Sequence, residues 1–116
     1  MPALLSWQTG TASPTPPGAD AYGSTSTNIT HTYTLKNTGD STSSAITISV
    51  TGSSPGAWIT GTDTCTNTTL APNATCTVQE TFLGQFLTTG TSYSATLNAT
   101  VTTGGTATNT MSGSVP

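Results

Sequence analysis

The chain has 116 residues, of which 32% are hydrophobic and 4% charged, with a formal net charge of −3. That length closes one two-layer core and no second one. Lys36 is the sole basic side chain beside Asp20, Asp40, Asp63 and Glu80, which excludes a surface built to neutralise phosphates or anionic lipid. No apolar run approaches the roughly 20 residues that a membrane-spanning helix needs.

Serine and threonine supply roughly four residues in ten, far above ordinary usage. The β-branch of threonine suits a pleated, half-wet surface, so the composition predicts an all-β domain. Met1-Pro2-Ala3-Leu4-Leu5-Ser6-Trp7 carries no basic region, no long apolar stretch and no small-residue cleavage site, and is therefore not read as a secretory leader. Leu4 to Trp7 reads as a short first strand. Residues Thr9 to Gly18 hold Pro14, Pro16 and Pro17. Proline removes ladder donors and fixes φ, so this stretch is an extended connector, either a surface loop or an arm laid along a neighbour. The chain thus divides into 1–22, a strand plus Pro-rich arm, and 23–116, the sandwich proper.

Ile29 to Leu35 alternates strictly and places Ile29, His31, Tyr33 and Leu35 on one face. Asn37-Thr38-Gly39-Asp40 marks a turn. Ala45 to Val50 alternates again with Ile46, Ile48 and Val50 inward, Ser53-Ser54-Pro55-Gly56 breaks the pattern, and Ala57-Trp58-Ile59 gives a brief apolar strand or corner. Asp20, Asp40 and Asp63 fall in expected turns, without the spacing of a calcium loop.

The only two cysteines, Cys65 and Cys76, stand either side of a Pro72-Asn73 turn. Two thiolates and one distant histidine do not complete a tetrahedral metal site, and the spacing is not that of a Cys-x-x-Cys redox pair. The reading is a structural disulfide across adjacent β-segments, worth roughly 2–4 kcal/mol through the unfolded state in an oxidising compartment.

Cys76, Val78, Glu80 and Phe82 then share an inward face. Leu83 to Thr91 is a looser connection with Phe86 and Leu87, and Tyr93, Ala95, Leu97, Ala99 and Val101 form the most regular strand. Gly104-Gly105 signals a hairpin whose return strand carries Ala107, Asn109 and Met111. Short strands with turn signals every 8 to 12 residues predict an immunoglobulin-like, two-sheet antiparallel sandwich of about seven strands.

Three stretches carry a resemblance: TLKNTGDSTSSAITISVTG, CTNTTLAPNATCTVQETF and SYSATLNATVTTGGTATNTMSGS. They resemble the immunoglobulin-like domains of the ASPM–SPD-2–Hydin and choice-of-anchor group, over about residues 23–114. The resemblance implies the sandwich fold and the kind of domain seen in bacterial surface and phage structural proteins; such folds host many roles. The chain departs from the pattern at Glu80 and Asn109, where the group keeps apolar residues. A buried unpaired carboxylate is costly, so Glu80 is expected at a solvated end of the sandwich, or else hydrogen-bonded to Asn109 or His31 or touching a partner. The insertions at Thr9–Ala21 and Phe86-Leu87 also depart, and insertions on a stable scaffold are where binding surface is commonly built.

No catalytic constellation assembles along the chain. His31 alternates with Ile29 and Tyr33 as a sheet residue, the four acids are scattered, and there is no Gly-rich phosphate cradle. The expectation is no enzyme, no cofactor and no metal. Four Asn-x-Ser/Thr sequons, at Asn28, Asn67, Asn73 and Asn98, arise readily by chance in a chain this rich in threonine.

Partner contacts are expected from Leu5, Trp7, Pro14, Pro16, Pro17, Phe86, Leu87 and Trp58, with tryptophan a frequent interface anchor. The leading expectation is a bacteriophage capsid decoration protein on the virion surface. It would dock on capsid or other virion proteins, or on itself, by apolar contact and strand-edge pairing. The alternative is an immunoglobulin-like spacer, adhesion or carbohydrate-binding module of a secreted bacterial surface protein. A carbohydrate role would need an exposed aromatic platform, for which Trp58, Phe86 and Tyr22 are the candidates.

Overall fold

The computed structural model describes residues 3–8, 19–102 and 106–116. Among them run eight strands: β1 (Leu5–Trp7), β2 (Ala19–Ser24), β3 (Asn28–Asn37), β4 (Thr47–Thr51), β5 (Trp58–Asp63), β6 (Thr75–Leu83), β7 (Thr91–Thr100) and β8 (Thr106–Val115). They form two four-stranded sheets with orders β1-β3-β6-β5 and β2-β8-β7-β4.

The alternation of the sequence sets the register. In the first sheet His31 stands opposite Glu80, Tyr33 opposite Val78 and Leu35 opposite Cys76, so every inward position of β3 meets an inward position of β6. In the second, β7 and β8 pair without interruption from Thr91 opposite Val115 to Thr100 opposite Thr106. A one-residue slip in either pair would turn the whole apolar set to solvent, which fixes the register. One pairing is parallel, β2 along β8, from Ala19 beside Thr110 to Ser24 beside Ser114.

The core lies between the sheets. Tyr33, Leu35, Val78 and Phe82 of the first face Leu97, Ala99 and Met111 of the second, all buried. Trp7 stands edge-on to Tyr33 with ring centroids 6.3 Å apart, and its indole N–H donates to the Ala107 carbonyl across the sandwich at 3.2 Å. Gly113 lets the sheets close at one end. A Cβ there would lie 2.9 Å from Cζ of Phe82, so only glycine admits the ring.

Cys65 and Cys76 are joined, with Cα atoms 5.2 Å apart, and tie the β5–β6 loop to the first residues of β6. Asp63 organises that loop. One carboxylate oxygen accepts from the backbone N–H groups of Cys65 (2.8 Å) and Thr66 (3.0 Å), and the other accepts from the Thr66 hydroxyl.

Three local readings change. Asp20 belongs to β2 and Asp63 is the last residue of β5, rather than either lying in a turn. The Ala57-Trp58-Ile59 corner is a 3-10 turn at Pro55–Ala57 followed by the six-residue strand β5. The looser connection after β6 holds a second 3-10 turn at Gly84–Phe86. The Gly104-Gly105 hairpin and Pro14, Pro16 and Pro17 lie outside the described residues.

Candidate functional site

Strand β6 points Glu80 into the space between the sheets, and its side chain is 0% exposed. The Thr60 hydroxyl, opposite it on β5, donates to Oε2 at 2.5 Å. Among the described residues Oε1 has no hydrogen-bond partner, and neither does Nδ2 of Asn109 nor Nε1 of Trp58, all three buried. A relay of two tyrosines ends on the backbone of Glu80. The Tyr33 hydroxyl donates to that of Tyr22 at 2.7 Å, which donates to the Glu80 carbonyl at 3.1 Å. The Tyr22 ring stacks on His31 with centroids 3.9 Å apart.

Burial pushes the Glu80 carboxyl up to about 7, with the Thr60 hydrogen bond working against the rise and the nearby Asp63 charge adding to it. The chain's one lysine is far away, Lys36 standing opposite Thr75 while Glu80 lies five residues further along β6. Desolvation raises a carboxyl in this way. Glu80 is therefore not solvated at an open end, as one sequence reading had it. Nor is it bonded to Asn109: both face the core, and the partner Glu80 has found is Thr60. The arrangement is a buried group that changes charge near neutral pH.

The expected contact residues separate by burial. Leu5, Trp7 and Trp58 are buried, Leu87 is half-buried against the core, and Phe86 is 72% exposed. Tyr22 is buried as well, so of the three aromatics that a sugar platform would use, Phe86 alone is at the surface. The sequence did not single out Ile59, which is 56% exposed. It stands opposite Thr81 on the outer face of the first sheet, two positions along the face from the half-buried Leu83, with the Phe86 turn just beyond. A shallow groove of about 370 Å³ opens on the other sheet, lined by Ser24, Ser92, Ser112, Ser114 and Tyr93. Its hydroxyls and single phenol ring carry no formal charge.

Asn37 is a structural centre that pattern reading took for a turn residue only. Its Oδ1 accepts from the N–H of Leu4 (3.1 Å) and Gly39 (2.9 Å), and its Nδ2 donates to the carbonyls of Ser41 and Leu70, each at 2.8 Å. Asn-Thr-Gly was the available signal, since asparagine before a turn commonly bonds nearby backbone. The bonds to Leu4 and Leu70 depend on tertiary placement.

No known family profile matches the chain, and no curated protein matches it. Solved structures do. The chain is similar to the VesB protease of Vibrio cholerae, at TM-score 0.61 and 19% identity, over 95% of this chain and 31% of that one. It is also similar to the secreted serine protease VesC of Vibrio cholerae, at TM-score 0.59 and 19% identity, over 83% and 21%. A third is a protein of unknown function from Porphyromonas gingivalis W83, at TM-score 0.68 and 8% identity, over 97% and 46%. The chain thus spans less than half the length of each, and at these identities the likeness is one of fold. The exclusion of enzymes drawn from the sequence is overturned by the two proteases. It rested on seeking a complete catalytic set within this chain, whereas the same fold occurs as part of protease chains.

Proposed function

We propose that this chain is an immunoglobulin-like module of a secreted bacterial protein, serving as a rigid, uncharged β-sandwich that holds a neighbouring domain or spaces it from a surface. Secreted proteases are among the hosts that fit. The observation that carries the reading is the likeness to VesB, which takes in 95% of this chain and only 31% of the protease. The strand orders β1-β3-β6-β5 and β2-β8-β7-β4 support the immunoglobulin-like assignment. Named in sequence, they run A-B-E-D and A′-G-F-C, the pairing of that fold with a split first strand. The resemblance to the ASPM–SPD-2–Hydin and choice-of-anchor group agrees. A disulfide suits an oxidising, extracellular setting, and the apolar surface at Ile59 and Phe86 suits contact with a neighbouring domain.

An antibody raised against the domain tests the reading in the organism that encodes it. The expected result is a band well above 11.6 kDa in the culture medium or at the cell surface. A band at 11.6 kDa that sediments with virions would overturn it in favour of the capsid decoration reading.

A further inference from the structure

Two four-stranded sheets have four edges, and three of them are blunted. Strand β1 is only three residues long. Strand β2 carries an irregularity between Ala21 and Ser24, and β5 carries one between Thr60 and Asp63 and ends in a charge. Short length, bulges and charge are the devices by which proteins keep sheet edges from pairing. The fourth edge, β4, has none of them. Thr47-Ile48-Ser49-Val50-Thr51 pairs with β7 in unbroken register and contains no charge, proline or glycine. No described strand lies on its other side. The residue before it, Ile46, makes a single bridge to Thr66, and pairing stops there.

The segment is also self-complementary. Turned antiparallel to itself about Ser49, it sets Thr47 opposite Thr51, Ile48 opposite Val50 and Ser49 opposite Ser49, with no like charges to oppose. Ile48 and Val50 are half-buried at the open seam of the sandwich, where a second copy would finish covering them. Cross-strand pairs of β-branched residues stabilise such a ladder, and a contact that repeats itself across a two-fold axis closes as a dimer.

We propose that β4 is a homodimerisation edge, joining two copies antiparallel about Ser49 into one continuous eight-stranded sheet. The inference does not rest on the module reading, since a dimer through β4 is compatible with any host. A five-residue edge makes a small interface, below about 1,200 Å², so association is reversible and concentration-dependent.

Sedimentation velocity of the full chain over a wide concentration series tests it, with near-UV circular dichroism confirming the fold of each variant. The wild type is expected to reach twice 11.6 kDa. Ser49→Lys and Ser49→Glu, each repelling its own copy, stay monomeric when alone and form a dimer when mixed. Thr108→Lys adds the same charge to an exposed position of β8 and dimerises like wild type. Should a Ser49 variant lose its native dichroism, Thr47→Lys, which opposes Thr51 of the second copy, takes its place. A wild type that remains monomeric throughout overturns the proposal, as does a Ser49→Lys protein that dimerises like the wild type.

Discussion

Asn37 joins the start of β1, the turn after β3 and the loop before β6 through one amide that is 0% exposed. Truncation to alanine strands the N–H of Gly39 in the interior and leaves the Leu70 carbonyl with the Ser43 N–H alone in place of two donors, and an unsatisfied buried group costs about 1–3 kcal/mol. Asn37→Ala is therefore expected to lose roughly 2–4 kcal/mol in urea denaturation, more than an exposed threonine changed to alanine. Glu80 makes its contribution through pH. Below about 4.5, the ordinary value, the carboxyl is protonated in both folded and unfolded chains. Between 4.5 and about 7 the unfolded chain releases a proton that the folded chain keeps, so stability falls as pH rises through that window and levels off above it. The difference amounts to at most about 3 kcal/mol. Glu80→Gln keeps the shape and an acceptor for Thr60. Denaturation curves at several pH values should show this slope in the wild type and its loss in the variant; parallel curves would count against the account.

At the scale of elements, strands β3, β6, β7 and β8 were legible because each is long, half-buried and strictly alternating, and the cysteine spacing announced the β5–β6 tie. Strand β2 was not. Ala19-Asp20-Ala21-Tyr22-Gly23-Ser24 has weak β-formers and follows three prolines, and its place is fixed by Tyr22, which enters the core to meet His31, Tyr33 and the Glu80 carbonyl. Burial of one aromatic overrode local propensity there. Most of β5 was missed for a different reason: Thr60, Gly61 and Thr62 are exposed, and an edge strand with little to bury leaves no alternation. The same difficulty hid the partner of Glu80, since only the register of β5 against β6 brings Thr60 opposite it. The disulfide reaches Cys76 from that edge and closes a loop with a separation of 11 residues. Its reduction, or replacement of both cysteines by serine, is expected to cost about 3 kcal/mol. Thermal unfolding with and without reductant measures it, and the serine variant should be indifferent to reductant.

Across the whole molecule, threonine and serine cover both outer faces while the core is drawn from a few aromatic and aliphatic side chains, so composition announced the fold class and said little about partners. Phe86 was named from the sequence as a contact residue, whereas the other interface candidates came from tertiary placement: Ile59 left outside, and one sheet edge left regular and uncharged. The parallel run of β2 along β8 has a mechanical consequence. These strands lie near opposite ends of the chain. Tension applied at Ala19 and Pro116 therefore pulls them past one another along their axes, stretching all of their hydrogen bonds together. Tension at Thr91 and Val115, register partners at one end of β7 and β8, opens that ladder one rung at a time. Single-molecule pulling should therefore find a markedly higher unfolding force for the first pair of handles than for the second. A domain built in this way resists traction along a chain better than its modest core would suggest.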